Sequence, residues 1–228
     1  MKNFAIITGG GIGSRMGNTI PKQFLPLHGK PIIMHTIRTF HTLTDAIFVT
    51  LPKQWFPFWE ELQEKHGFDI PHTLVEGGNT RFESVKNAVV HLPEEGLVAI
   101  HDAVRPFVTS SFIQSCFDSA KIHGNAVAAV PIKSSLRMGS ETKTKAVDRN
   151  DYFAVQTPQV FSCEVIKKAY KQPYQPCFTD DATLVETLGY DIKLMQGDEA
   201  NLKITTADDL LFAEYLFTKK YKDNESGF

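Results

Sequence analysis

The segment Phe4-Ala5-Ile6-Ile7-Thr8-Gly9-Gly10-Gly11-Ile12-Gly13-Ser14-Arg15-Met16-Gly17 decides how the rest of the chain is read. Its first half, apolar up to Thr8, predicts a short strand buried on both faces. The five glycines that follow predict a loop whose backbone comes close to an anion, with N–H groups converging on it as a nest. A plain turn is the bland alternative, but five glycines plus Arg15 exceed what a turn needs. A loop leaving a strand at the edge of a parallel sheet also lies where open α/β folds bind ligands.

The same rhythm continues outward. Short runs rich in Val, Ile and Ala predict strands at Phe4–Thr8, Ala46–Leu51, His72–Glu76, Leu97–His101, Ala126–Ile132 and Ile192–Gln196. Amphipathic stretches between them predict helices at Pro31–Leu43, Trp55–His66, Thr80–Leu92, Ser111–His123, Glu164–Lys171, Asp180–Leu188 and Ala207–Phe217. Pro31 suits a first helical position, and Thr206 reads as a cap before Ala207. No internal repeat or linker interrupts the pattern. One α/β domain over 1–228 is expected, with a charged, frayed tail from about residue 219.

Lys133–Asn150 breaks the rhythm. Alternating residues around Gly139-Ser140-Glu141 read as a protruding two-stranded arm. Two readings stand: a solvated hairpin, or an arm that reaches a partner subunit, since an isolated hairpin is marginal in water.

Composition narrows the function. The formal net charge of −2 supplies no broad basic field for nucleic acid, so an anionic ligand must be met by a few local cations. No apolar run approaches the length needed to cross a bilayer. The N-terminus enters the first strand without a cationic leader, so a cytoplasmic protein is expected. Cys116, Cys163 and Cys177 form no C-x-x-C pair, and the eight histidines show no metal-ligand spacing. The glycine loop lacks the Gly-Lys-Ser/Thr of a P-loop. It also lacks the third glycine of the dinucleotide fingerprint, which leaves a nicotinamide oxidoreductase the weakest reading. Pro21-Lys22-Gln23-Phe24 adds a second cation close to the loop, on backbone restrained by Pro21. Trp55, Phe56, Phe58 and Trp59 read as core and helix-face aromatics, and Asp180 and Asp181 as acids favouring a helix N-terminus.

With the glycine loop and the following Pro-Lys-Gln-Phe taken as one, six motifs then occur in one order. After the loop and Pro-Lys-Gln-Phe come His101-Asp102-Ala103-Val104-Arg105-Pro106, Val147-Asp148-Arg149-Asn150, Gln156-Thr157-Pro158-Gln159, Thr179-Asp180-Asp181-Ala182 and Asn201-Leu202-Lys203-Ile204-Thr205. From Phe4 to about Phe217 the chain resembles the 2-C-methyl-D-erythritol 4-phosphate cytidylyltransferase family. The resemblance implies a Rossmann-like, mostly parallel sheet with helices on both faces and a β-arm, the nucleotide-diphospho-sugar transferase type. It implies transfer of CMP from CTP to the methylerythritol phosphate, with release of pyrophosphate, in isoprenoid precursor synthesis. It also implies Mg²⁺ and a homodimer formed through the arm.

Carried over by position, Arg15, Lys22, Arg149 and Lys203 match the family's catalytic residues. Thr8, Gly9, Gly10, Gly11, Gly13, Arg15, Lys22, Gly78, Asn79, Ser84, Asp102 and Ala103 match its nucleotide contacts. Arg105, Ser135, Arg149, Thr157 and Lys203 match its acceptor contacts, and Asp102 its metal ligand. In the family the arm crosses to the other subunit, so Ser135 and Arg149 are expected to serve the partner's site. Four positions depart from the pattern: Gly9 and Gly10 stand where alanines are common, Asn79 where an aspartate is common, and Ser135 where a threonine is. A ribitol 5-phosphate cytidylyltransferase shares the loop, Pro-Lys-Gln and His-Asp-Ala-Val-Arg-Pro; the Val-Asp-Arg-Asn and Thr-Asp-Asp-Ala segments favour the methylerythritol enzyme. A catalytically silent nucleotide-binding module is the alternative from another class. It would not require Arg15, Lys22, Asp102 and Lys203 together.

Overall fold

The computed structural model describes residues 1–10 and 20–225, with side chains as far as residue 219. In chain order the strands are β1 (Asn3–Thr8), β2 (Pro26–Leu27), β3 (Lys30–Pro31), β4 (Ala46–Leu51), β5 (Thr73–Glu76), β6 (Leu97–Asp102), β7 (Asn125–Pro131), β8 (Leu136–Gly139), β9 (Thr144–Val147), β10 (Phe153–Ser162) and β11 (Leu194–Gln196). The helices are α1 (Ile32–His41), α2 (Phe56–His66), α3 (Arg81–Val89), α4 (Ser110–His123), α5 (Cys163–Ala169), α6 (Asp181–Glu186) and α7 (Ala207–Glu225).

One sheet with the order β11-β7-β10-β6-β1-β4-β5 organises the chain. Its neighbouring strands are parallel except where β10 runs antiparallel between β6 and β7. Alternate residues of β1 enter opposite cores. Ala5 and Ile7 join α1, α2 and α4 on one face, through Phe40, Trp59 and Phe117. Phe4 and Ile6 join α3, α5 and α6 on the other, through Val85, Ile166 and Val185. A strand covered on both faces has no polar side, which is why it reads as an unbroken apolar run. The aromatics Trp55, Phe56, Phe58 and Trp59 do belong to the first core. A third, smaller cluster joins Leu25, Leu27 and Ile32 to Val104, Ile204 and Ala213 of α7.

Every expected strand and helix is present, with ends within three residues of those expected except at the end of α7. Three points differ from the sequence pattern. β10 was not expected: its centre, Gln156-Thr157-Pro158-Gln159, is polar and holds a proline, yet all four residues are buried. The pairing with β7 shifts register between Val155 and Gln159, and the Thr157–Pro158 bond is cis. A proline without an N–H is tolerated in a sheet at such an irregularity. Pro31 stands at the N-cap position, one residue before the first turn of α1, and makes no side-chain cap hydrogen bond. The helix expected to stop at Phe217 continues to Glu225, so the segment assigned to a frayed tail begins as helix.

Thr206 accepts the Asp209 N–H as the α7 cap. The arm is present as β8 paired antiparallel with β9 in a sheet of its own, closed by Ser140–Lys143 hydrogen bonds. Among the described residues, no helix is long and apolar enough to cross a membrane.

Candidate active site

β1, β4, β5 and β6 are parallel, so their carboxyl ends share one edge of the sheet. Among the described residues a cleft of about 590 Å³ opens there, walled by Thr8, Gly10, Lys22, Gly78, Asn79, Ser84, Asp102 and Lys203. Gly11, Gly13 and Arg15 lie outside the described residues. A second cavity of about 320 Å³ adjoins the first and is walled by Arg105, Thr157, Gln159 and Asp180; Arg81, Asp102 and Lys203 belong to both.

Packing explains the glycines at the nucleotide-side wall. A Cβ on Gly10 would stand 2.8 Å from Ser84 Oγ, and one on Gly78 only 2.2 Å from Glu83 Cβ. The second contact is with the rigid start of a side chain, so only glycine fits there. Ser84 Oγ accepts the Gly78 N–H at 3.1 Å and donates to Thr80 O at 2.9 Å. Thr80 and Glu83 form a capping box for α3, and Glu83 Oε2 also accepts the Asn79 N–H at 2.6 Å. Opposite, Gln23 is buried and its Nε2 donates to Gly9 O at 2.5 Å. It anchors the start of the glycine loop to the turn that carries Lys22. Gly9 donates its N–H to Thr50 O, and Ala103 donates to Thr8 O and accepts from Thr36, so both pack behind the wall.

Asp102 sits at the junction of the two cavities with three cations around it among the described residues. Arg105 Nε donates to Oδ2 at 3.1 Å and Lys203 Nζ lies 3.0 Å from the same oxygen. Arg81 Nε lies 3.7 Å from Oδ1, and Thr8 Oγ1 3.5 Å from it. Burial alone would raise the Asp102 pKa, but Arg81, Lys203 and Arg105 outweigh it and hold the carboxyl well below the usual range. Thr157 Oγ1 accepts the Asp102 N–H at 3.1 Å, which places that predicted acceptor residue directly beside the carboxylate. Arg105 Nη1 donates to Asn201 O at 2.8 Å, and Asn201 Nδ2 donates to Thr157 O at 2.8 Å. Ser135 and Arg149 are exposed on and beside the arm, where Arg149 donates to Lys133 O; they line neither cavity.

The sequence reading missed Arg81, Gln23 and Asn201. Gln23 and Asn201 lay inside recognised motifs, and their burial was the missing information. Asp180 and Asp181 were read as acids favouring a helix N-terminus, and both stand at the start of α6: Asp180 accepts the Thr183 N–H at 2.9 Å as its cap, and Asp181 is in the first turn. The further fact that Asp181 is buried against Arg81 was not readable from the sequence. Nothing in Gly78-Asn79-Thr80-Arg81 says which distant carboxylates Arg81 will meet.

No group of three or more His, Cys, Asp or Glu able to hold a metal ion occurs among the described residues. The donor set still fits Mg²⁺, which binds through one or two carboxylates together with substrate phosphates and water. Asp102 provides one such oxygen, since among the described residues Oδ1 carries the long Arg81 and Thr8 contacts alone.

His101 packs on Phe40 with ring centroids 5.0 Å apart, and its Nε2 is 3.0 Å from Arg105 O. Burial lowers its pKa to about 4 from 6.5. Between those values the unfolded chain binds a proton that the folded chain does not. Stability is therefore lost as pH falls from 6.5 towards 4, by about 3 kcal/mol from this group at about 1.4 kcal/mol per pH unit. Guanidinium unfolding at pH 7 and pH 4.5 should show a smaller pH loss in His101→Gln; parallel losses would remove His101 as the cause.

The family model for IspD, 2-C-methyl-D-erythritol 4-phosphate cytidylyltransferase, matches residues 4–219. A Bacteroides fragilis protein of that name is 45% identical over 214 residues, covering 93% of this chain and 98% of its own. A Bacteroides thetaiotaomicron protein of the same name is 45% identical over 213 residues, covering 92% and 97%. The crystal structure of 2-C-methyl-D-erythritol 4-phosphate cytidylyltransferase from Thermus thermophilus superposes with a TM-score of 0.78 at 30% identity, over 95% of this chain and 98% of that one.

Proposed function

The chain belongs to the 2-C-methyl-D-erythritol 4-phosphate cytidylyltransferase family, and from that membership we infer how its own residues carry out the transfer. The enzyme moves CMP from CTP to 2-C-methyl-D-erythritol 4-phosphate and releases pyrophosphate, a step of isoprenoid precursor synthesis. An oxygen of the acceptor phosphate forms a bond to the α-phosphorus as the bond to pyrophosphate breaks. That oxygen is already ionised, so no protein base or nucleophile is required. The obstacle is repulsion between two anions.

One observation carries the assignment of roles: Arg81, Arg105 and Lys203 surround Asp102 at the wall common to both cavities. On this reading the larger cavity takes the nucleotide and the smaller one the acceptor phosphate. Lys203 and Lys22 offset the phosphate charges, and Arg105 and Thr157 hold the acceptor. Arg15 on the glycine loop has the role that its motif position implies. A unit charge pair at about 4 Å is worth on the order of 4 kcal/mol at an effective dielectric near 20, so a few placed cations suffice by positioning and electrostatics. Mg²⁺ held by Asp102 and the nucleotide phosphates would add charge neutralisation at the same place.

The arm supports a homodimer. Met138 on β8 and Tyr152, Phe153 and Val155 near its base are exposed apolar side chains that a second copy would cover. Ser135 and Arg149 would then act in the partner's acceptor cavity, and the chain would sediment at twice its mass. The exposed free Cys177 suits a reducing, cytoplasmic setting.

Pyrophosphate release measured with CTP and each polyol phosphate tests the function. Turnover is expected with methylerythritol phosphate. Turnover of ribitol 5-phosphate alone would reverse the acceptor assignment, and CTP binding without pyrophosphate release from either would leave a silent binding module.

A further inference from the structure

Arg81 stands in the wall between the two cavities and meets a carboxylate on either side. Its Nη2 donates to Asp181 Oδ2 at 2.6 Å, and its Nε faces Asp102 Oδ1 at 3.7 Å. Asp181 is 0% exposed, and its other oxygen accepts the Tyr170 hydroxyl at 2.5 Å. Asp181 therefore contacts no ligand in either cavity.

A guanidinium is planar and rigid, so holding Nη2 on one carboxylate narrows the positions open to Nε. Nε lies 3.7 Å from Oδ1, whereas Arg105 and Lys203 pair with Oδ2. The connection also spans two structural units. Arg81 opens α3, directly after the Gly78–Thr80 segment of the nucleotide-side wall. Asp181 opens α6, next to Thr179, Asp180 and Thr183 of the acceptor-side wall. Asp181 is buried while solvent reaches Arg81, so removing Arg81 would leave a buried carboxylate without its cation, and this tie resists the two walls drifting apart. Burial alone would lower the Arg81 pKa, but Asp181 and Asp102 outweigh it and keep the group charged throughout.

We propose that Arg81 is a positioning residue: held by Asp181, it orients the Asp102 carboxylate and keeps the nucleotide-side loop and acceptor-side helix in register for transfer. The inference rests on the cytidylyl-transfer reading above. It differs from a role in binding, because Arg81 acts here through Asp102, and it differs from a stability role, because the effect falls on turnover.

The test is a double-mutant cycle with Arg81→Lys and Asp181→Asn, read by pyrophosphate release from CTP and methylerythritol phosphate and by thermal unfolding. Arg81→Lys keeps the charge and loses the fork. We expect kcat to fall on the order of 10- to 100-fold, as small misplacements of reacting groups cost, with the CTP KM changed less than about threefold. Asp181→Asn, which contacts no ligand, should lower kcat similarly, and the double variant should fall no further than the worse single one.

Losses that multiply in the double variant would overturn the proposal, as would a normal kcat in Asp181→Asn or a change confined to KM in Arg81→Lys. If Asp181→Asn does not fold, Tyr170→Phe keeps the ring and removes one hydrogen bond from the same carboxylate. A kcat loss of about threefold or more there supports the positioning role, and an unchanged kcat removes it. An inactive wild type would defeat the reading of the function and this inference with it; an active wild type with multiplicative losses defeats the inference alone.

Discussion

Replacing Lys203 with alanine lowers kcat for pyrophosphate release by a factor on the order of 10² to 10³, the usual cost of losing one preorganised transition-state donor, while the chain stays folded. Lys203 borders both cavities, with Nζ 3.0 Å from Asp102 Oδ2 and the side chain 40% exposed. Its backbone is pinned on either side. Buried Ile204 donates its N–H to Val104 O at 2.9 Å inside the small core shared with α7. Buried Asn201 bonds to Thr157 O. The ammonium is thus delivered by a rigid segment, and its removal takes away charge without loosening the wall. Steady-state kinetics with saturating CTP is the measurement, with thermal unfolding as control, where the loss should be smaller than in Asp102→Asn because Arg81 and Arg105 remain beside the carboxylate. A loss of about tenfold or less would mean that Lys203 is not a main stabiliser of the transferring phosphate.

Asp102→Asn should damage both activity and stability, since the substitution keeps shape and removes the charge around which three cations gather. Arg81 retains Asp181 and Arg105 retains Asn201 O, but Lys203 loses the carboxylate it faces. Breaking a fully buried pair costs about 3–5 kcal/mol; solvent reaches Arg81 and Lys203, so about 2 kcal/mol is expected here. The sign of the pH dependence follows. Because the Asp102 pKa is depressed in the folded state, its contribution is full above the ordinary carboxylate range and is lost as pH falls below it. The variant should therefore lie furthest from wild type near pH 7 and approach it in acid. Turnover should drop by a factor on the order of 10² or more, because the carboxylate both arranges the cations and offers the hard oxygen for a divalent ion. Guanidinium unfolding and pyrophosphate release at pH 7 check the two effects. Wild-type stability together with a loss under about tenfold would show that Asp102 is not the organiser of the junction.

The architecture was largely readable because it rests on local periodicity. Strands buried on both faces must be apolar throughout, and the helices covering them must carry one apolar stripe; both patterns are visible without knowing what packs on what. β10 escaped for the same reason in reverse. Its buried centre is polar because Gln156, Thr157 and Gln159 spend their side chains on Asp198 O, on the Asp102 N–H and on Asp180. Only those distant partners make a polar strand tolerable in a core. The site was legible as a set of motifs and opaque as a geometry. Lys22, Asp102, Arg105, Thr157 and Lys203 were all singled out, and the structure gathers them at the carboxyl edge of the sheet.

By itself, then, the sequence determined the α/β layering, the glycine loop after the first strand, the arm, the residue types able to meet phosphate and the family they resemble. Each of these is written in neighbouring residues or in spacing along the chain. Tertiary structure alone decided that Asp102 stands among three cations, that Gln23 and Asn201 brace the segments bearing Lys22 and Lys203, and that Arg81 joins two walls through Asp181. Those are electrostatic and hydrogen-bonding matches between residues far apart in the chain, and their strength depends on burial and distance. Neither quantity exists until the sheet has brought its strand ends together.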